Sequence, residues 1–213
     1  MNARDILRRI AELPHRNTTT IRSLRRRISK ELATTDRATV MTFALDLISV
    51  DANSRWVAYE LVQNHAAARD GITVSEVERL GHGISSWSAV DAFACFISGP
   101  AWREGRIGDA RVARWAGLKD RWWRRAALVS TVPLNVQAQG GSGDAQRTLH
   151  VCELLLHDRD EMVVKALSWA LRALAVRDPQ AVSRFVQRHE SDLPALVKRE
   201  VRNKLTTGLK NPR

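Results

Sequence analysis

A chain of 213 residues, 44% of them hydrophobic, is long enough to bury a sizeable core and too apolar to be a disordered tail. Thirty-four Lys and Arg against 23 Asp and Glu leave a net charge of +11, which points to a polyanionic partner. No apolar run approaches the ~18 residues of a membrane span, Met1 to Arg9 lack a signal-peptide core, and Cys95 and Cys152 form no C-x-x-C pair or disulfide framework.

In chain order, Ile6, Leu7, Ile10 and Leu13 follow helical spacing and stop at Pro14. Thr18-Thr19-Thr20 offers a start for a helix through Ile28, whose Arg22, Arg25, Arg26 and Arg27 make the densest basic cluster. That run reads equally as a solvated face or a phosphate-binding ridge. Asp36 is placed to cap a helix carrying Val40, Met41, Phe43, Ala44, Leu47 and Ile48. Another begins at Arg55 and ends near Asp70-Gly71. Thr73 or Ser75 opens a short one that closes at Gly81 and Gly83.

A helix with Trp87 and Asp91 then runs to a stop at Gly99-Pro100. Val112 to Leu118 and Trp122 to Val132 form two more, the second ended by Pro133. Residues 135–146 read as a loop, centred on Gly140-Gly141-Ser142-Gly143, and are the best candidate for a flexible segment. Helices follow over Thr148–Leu156, Met162–Val176, from Asp178-Pro179 onward, and from Pro194 through Leu205, ahead of a polar tail.

No stretch alternates with period two, so the fold class is all-α. The helices pair, and several second helices carry a cation just ahead of alanine: Arg55-Trp56-Val57-Ala58, Arg124-Arg125-Ala126-Ala127 and Val164-Lys165-Ala166-Leu167. The spacing is that of helical hairpins, which predicts an α-solenoid of HEAT-like repeats with a basic concave face. The expectation is one domain over 1–213, with 207–213 as its tail. Twenty-eight of the 34 cations are arginine, whose planar fork grips phosphate better than lysine does.

Trp87 and Asp91 stand four apart, so an indole and a carboxylate share one helix face. With the arginines of the next repeat they suit a cationic base, its sugar and a phosphate. The plainer reading is a partly buried helix whose Asp91 pairs with an arginine. Trp56, Trp102 and Trp115 read as core filler, and of Trp122 and Trp123 one should pack inward. His150, His157 and Cys152 lack a clear third ligand, so no metal and no cofactor is expected.

Trp87-x-x-x-Asp91, then Trp122-Trp123-Arg124-Arg125-Ala126-Ala127-Leu128, then Lys165-Ala166-Leu167-Ser168-Trp169-Ala170-Leu171-Arg172 together resemble the AlkD family of HEAT-like DNA alkylation-repair glycosylases. The resemblance runs from about Asn17 to Leu205. It departs at Asn17-Thr18-Thr19-Thr20-Ile21-Arg22-Ser23-Leu24-Arg25, which lacks the family's glycine and proline, and the chain ahead of it is about one helix shorter. The resemblance implies a monofunctional glycosylase that frees cationic N3- or N7-alkylpurines from duplex DNA. Asp91 would be the essential carboxylate, Trp87 and Trp169 the indoles, and Arg125 the active-site arginine. Arg22, Arg25, Arg26, Arg55, Arg124, Lys165 and Arg172 would contact the DNA backbone.

Two rivals remain: a non-catalytic binder of DNA structure that uses the same basic groove, and a helical-repeat adaptor for another protein, its charge merely compositional. The expected protein is a cytoplasmic monomer, nucleoid-associated when bound to DNA.

Overall fold

Most helices of this chain start where a side-chain oxygen meets the free N–H groups of a first turn. The computed structural model describes residues 2–212, and among them all regular structure is helical. Packing divides the chain into two compact units, Met1–Ile84 and Ser85–Arg213.

The first unit holds α1 (Ala3–Ala11), α2 (Thr18–Glu31), α3 (Arg37–Val50), α4 (Arg55–Gln63), α5 (Ala66–Asp70) and α6 (Val74–Gly81). Asp36 caps α3 as expected, its Oδ1 accepting the Thr39 N–H at 2.9 Å. Thr73 rather than Ser75 caps α6, in a reciprocal box with Glu76. The start of α2 belongs to Asn17 instead of a threonine, because Asn17 Oδ1 accepts the Thr20 N–H at 3.0 Å. Helix α3 packs on α1 and α4, and α4 on α2, around Ile6, Leu24, Ile28, Leu47 and Tyr59.

In the second unit α7 (Trp87–Phe93) does not stop at Gly99-Pro100. It widens into a π turn, Ala94–Ser98, and continues as α8 (Gly99–Arg103). Pro100 has no N–H to close on the carbonyl four residues back, and the Gly99 N–H reaches the Ala94 carbonyl instead. Glycine is required there, since a Cβ would meet Pro133 Cγ at 2.6 Å and the Ala94 oxygen at 2.7 Å. Beyond lie α9 (Asp109–Ala116), α10 (Arg121–Val129), α11 (Val132–Asn135), α12 (Ala145–Leu154), α13 (Glu161–Leu174), α14 (Pro179–Arg188) and α15 (Ala195–Thr207).

Helices α7, α10, α13 and α15 contact one another in succession, while α9, α12 and α14 form a second layer behind them. Each of α9–α10, α12–α13 and α14–α15 is a hairpin whose apolar faces close the core. The fold is all-α, an α-solenoid of helical repeats.

The loop expected to be flexible is tied down. Asn135 donates to the Thr131 carbonyl and the Thr148 hydroxyl, both at 2.9 Å, and accepts the Asp144 N–H at 3.0 Å. Gly141 is buried against the backbone of Pro133, Leu134 and Asn135, so a side chain there has no room. Trp102 and Trp115 fill the core as expected. Trp56 does not: it is half-buried, with the Arg22 guanidinium 5.9 Å from its ring.

Candidate active site

Ser86 sets the register of α7 by accepting the Ala89 N–H at 3.3 Å, which puts Trp87 on the first turn and Asp91 one turn further. Val90 and Phe93 point into the core, leaving Trp87, Asp91 and Cys95 along the open side. Trp87 is 58% exposed, far more than any packing role requires. Asp91 is half-buried.

The carboxylate of Asp91 is held by Arg125 of α10. Nε donates to Oδ1 and Nη2 to Oδ2, each at 2.9 Å, and Nη1 donates to the Met162 carbonyl at 2.6 Å. The plainer sequence reading, an aspartate paired with an arginine, is therefore part of the site. Arg125 itself is buried, so its expected phosphate contact is replaced by a grip on Asp91 and the start of α13. Each oxygen of Asp91 keeps acceptor capacity beyond its bond to Arg125. Burial pushes the Asp91 carboxyl above its ordinary value, and the hydrogen bonds and charge of Arg125 offset only part of that rise. Cys95, one turn on, is pushed up to about 12 by burial and by the nearby Asp91 charge, so its thiol is no nucleophile.

Helix α10 is capped by Asp120, whose Oδ1 accepts the Trp122 N–H at 2.8 Å. Trp123 is the inward-packing indole, edge-on to Phe93 with centroids 5.8 Å apart and 5.1 Å from Trp115. Trp122 is half-buried under the Arg121 guanidinium, 4.7 Å away. Arg124, expected on phosphate, donates to Asp158 at 2.6 Å and to the carbonyls of Leu118 and Lys119. It staples the turn ahead of α10.

On α13 the side not buried in the core carries Met162, Lys165, Trp169 and Arg172, at spacings of three, four and three. Lys165 pairs with Glu161 and remains about half exposed. Trp169 is half-buried on this stripe and is not turned into the interior. Helix α10 lies between α7 and α13, so the Asp91–Arg125–Met162 chain of contacts links the two helices that carry Trp87 and Trp169.

In the first unit, Arg22 and Arg25 both reach the buried Glu60, Nε to oxygen at 3.1 and 2.8 Å. Arg26 is exposed. Arg55 is the clear departure from expectation: it is 7% exposed and donates to the carbonyls of Leu80 at 3.1 Å and His82 at 2.8 Å. Its work is to tie α4 to the end of α6, out of reach of a phosphate.

Sequence reasoning missed Glu60, Glu200 and the Met162 carbonyl. The signal for Glu60 was a lone carboxylate inside an apolar run, Tyr59-Glu60-Leu61-Val62; Glu200 follows Lys198-Arg199 and looks like an ordinary surface charge, and a backbone carbonyl leaves no signal at all. Among the described residues no group of three His, Cys, Asp or Glu side chains is set to hold a metal ion, and no helix is long and apolar enough to cross a membrane.

Fold and site together define a helical-repeat protein that offers a carboxylate, clamped by a buried arginine, beside an exposed indole. The family model of the DNA alkylation repair enzymes matches residues 16–205, and the chain belongs to that family. No curated protein and no solved structure matches it. Membership assigns the protein, as an enzyme, to the repair of alkylated DNA, with DNA as its partner.

Proposed function

We propose that the protein is a monofunctional DNA glycosylase that hydrolyses the N-glycosidic bond of cationic N3- or N7-alkylpurines in duplex DNA. The observation that carries this reading is the Asp91 carboxylate, fixed bidentately by Arg125 with the exposed Trp87 one turn away. A cationic purine leaves with the bonding pair of C1′–N and becomes neutral, so no general acid is needed. Water adds to C1′ and releases a proton, and the sugar in between is oxocarbenium-like.

A carboxylate ~4 Å from that sugar stabilises it by ~4 kcal/mol at an effective dielectric near 20. Arg125 stands behind the carboxylate, and its charge, roughly 8 Å from the sugar, opposes this by ~2 kcal/mol. The remaining ~2 kcal/mol amounts to ~30-fold in rate. Larger effects of Asp91 therefore belong to orienting the water, for which a carboxylate with locked geometry is well suited. Trp87 and Trp169 attract the cationic nucleotide by cation–π contact, ~0.5–2 kcal/mol each. Neutral purines forgo this. Arg22, Arg25, Arg26, Lys165 and Arg172 hold the backbone.

The test is release of free methylpurine from methylated duplex DNA by the wild type and by Asp91→Asn. Loss of release in the variant, with DNA binding kept, supports the reading; no release by the wild type at high concentration removes it. The Asp91–Arg125 ion pair itself favours one rival, a binder of DNA structure in which Asp91 is only architectural. In that case the wild type binds bent or gapped duplexes tightly and releases nothing.

A further inference from the structure

The end of the second unit gathers three cations around one buried carboxylate. Glu200 of α15 is 4% exposed. Its Oε2 accepts the Ser168 hydroxyl at 2.6 Å and lies 3.6 Å from Arg172 Nε. Its Oε1 lies 3.2 Å from Lys210 Nζ and 4.0 Å from Arg199 Nη2. Burial alone would raise this carboxyl, but Ser168, Lys210 and Arg172 together hold it below its ordinary value. One negative charge thus faces three positive ones, and the surplus is open to solvent: Arg199 is 66% and Lys210 47% exposed.

The geometry of each cation leaves a donor to spare. Arg172 engages through Nε, which donates to Ser168 at 3.2 Å, and its two terminal nitrogens make no hydrogen bond among the described residues. Lys210 lies in the stretch expected to be a polar tail, and its backbone is held by α15. Gly208, at φ 74°, reverses the chain after α15. Asn203 then donates to the Lys210 carbonyl at 3.1 Å and Lys204 to the Gly208 carbonyl at 2.7 Å.

We propose that Arg172, Arg199 and Lys210 form a binding site for a backbone phosphate of duplex DNA, with Glu200 as the residue that positions them. A carboxylate that fixes cations before binding spares the ordering cost otherwise met on binding, and the charge left over matches a phosphodiester. Arg172 lies ~15 Å along α13 from Met162, at 1.5 Å per residue. The phosphate held here is therefore a flanking one, some way from the nucleotide beside Asp91. In the first unit Glu60 does the same to Arg22 and Arg25, again through their Nε atoms.

The proposal rests on DNA being the partner, and not on the glycosylase chemistry. Its test is the salt dependence of binding to a short labelled duplex, for the full chain and for Arg199→Ala, Lys210→Ala and the double variant. These are surface positions, and thermal melts verify that each variant folds. The slope of log K against log[salt] should become shallower by ~0.9 for each phosphate that a variant no longer neutralises. A neutral methylphosphonate at one flanking position should weaken the wild type more than the double variant, which keeps only Arg172 at the site. A double variant with the wild-type slope and the same methylphosphonate sensitivity overturns the site. A wild-type line that is itself flat removes DNA as the partner, and the site falls with it.

Discussion

Replacing Arg125 by methionine keeps an unbranched apolar stem of similar course and removes the guanidinium group with its charge and donors. Asp91 then loses both of its 2.9 Å hydrogen bonds, and the Met162 carbonyl loses its 2.6 Å one. Breaking a buried ion pair by removing one partner costs ~3–5 kcal/mol, which for a chain of this length lowers the melting temperature by ~6–20 °C. The pH dependence gives the sharper check. In the wild type the Asp91 carboxyl is already raised by burial, so above its ordinary value the folded chain keeps a proton that the unfolded chain has lost. The stability that this group contributes falls as pH rises through that window.

Without Arg125 both opposing influences disappear and burial acts alone, so the folded value climbs and the window widens. The destabilisation of Arg125→Met should therefore be smallest in acid, where Asp91 is protonated in both states, and largest near neutrality. Melts followed by circular dichroism from about pH 4 to pH 7 measure it. The acid limb of base release should move to higher pH in the same variant. A melting difference equal at both ends of the range would refute the argument that Arg125 exists to support an ionised Asp91.

Trp87→Ala should leave the melting temperature unchanged, because the ring is 58% exposed, and weaken transition-state binding of a cationic lesion ~2- to 30-fold; equal losses on cationic and neutral lesions in steady-state assays would count against cation–π selectivity. Arg55→Met should destabilise the chain by ~1–3 kcal/mol, since it leaves the Leu80 and His82 carbonyls without their donor, while the salt slope of DNA binding stays as in the wild type. A shallower slope would mean that Arg55 reaches a phosphate after all. Gly99→Ala must displace Pro133 Cγ and the Ala94 carbonyl, at 2.6 and 2.7 Å from the new carbon; a destabilisation of ~1–3 kcal/mol in urea titrations is expected, together with slower base release as the π turn shifts Asp91.

The helical class, most helix starts and the Trp87–Asp91 face were legible in the sequence because they depend on neighbours within one turn. Asp36 caps α3 because a side-chain oxygen can reach an N–H three residues on, and Trp87 shares a face with Asp91 because they stand four apart. The π turn was missed although its proline was in view. A Pro at that point can end a helix or widen it, and the close packing of Gly99 on Pro133 and Ser130 goes with the second outcome.

Which cation serves which partner was decided by tertiary structure alone. Arg125 and Lys165 each directly precede an alanine and Arg55 stands three ahead of one, yet Arg55 lies on the Leu80 and His82 carbonyls, Arg125 on Asp91 and Lys165 beside Glu161. Arg124 and Arg125 are adjacent, and about 100° of helix rotation separates a staple on Asp158 from the clamp on the candidate carboxylate. Asp91 and Arg125 are 34 residues apart in sequence. Composition determined that the chain would be basic, a sum over residues, and local spacing that it would be helical, a relation between near neighbours. Only the packing of α7, α10 and α13 could determine that Asp91 would meet a buried arginine, since that is a matter of direction in space.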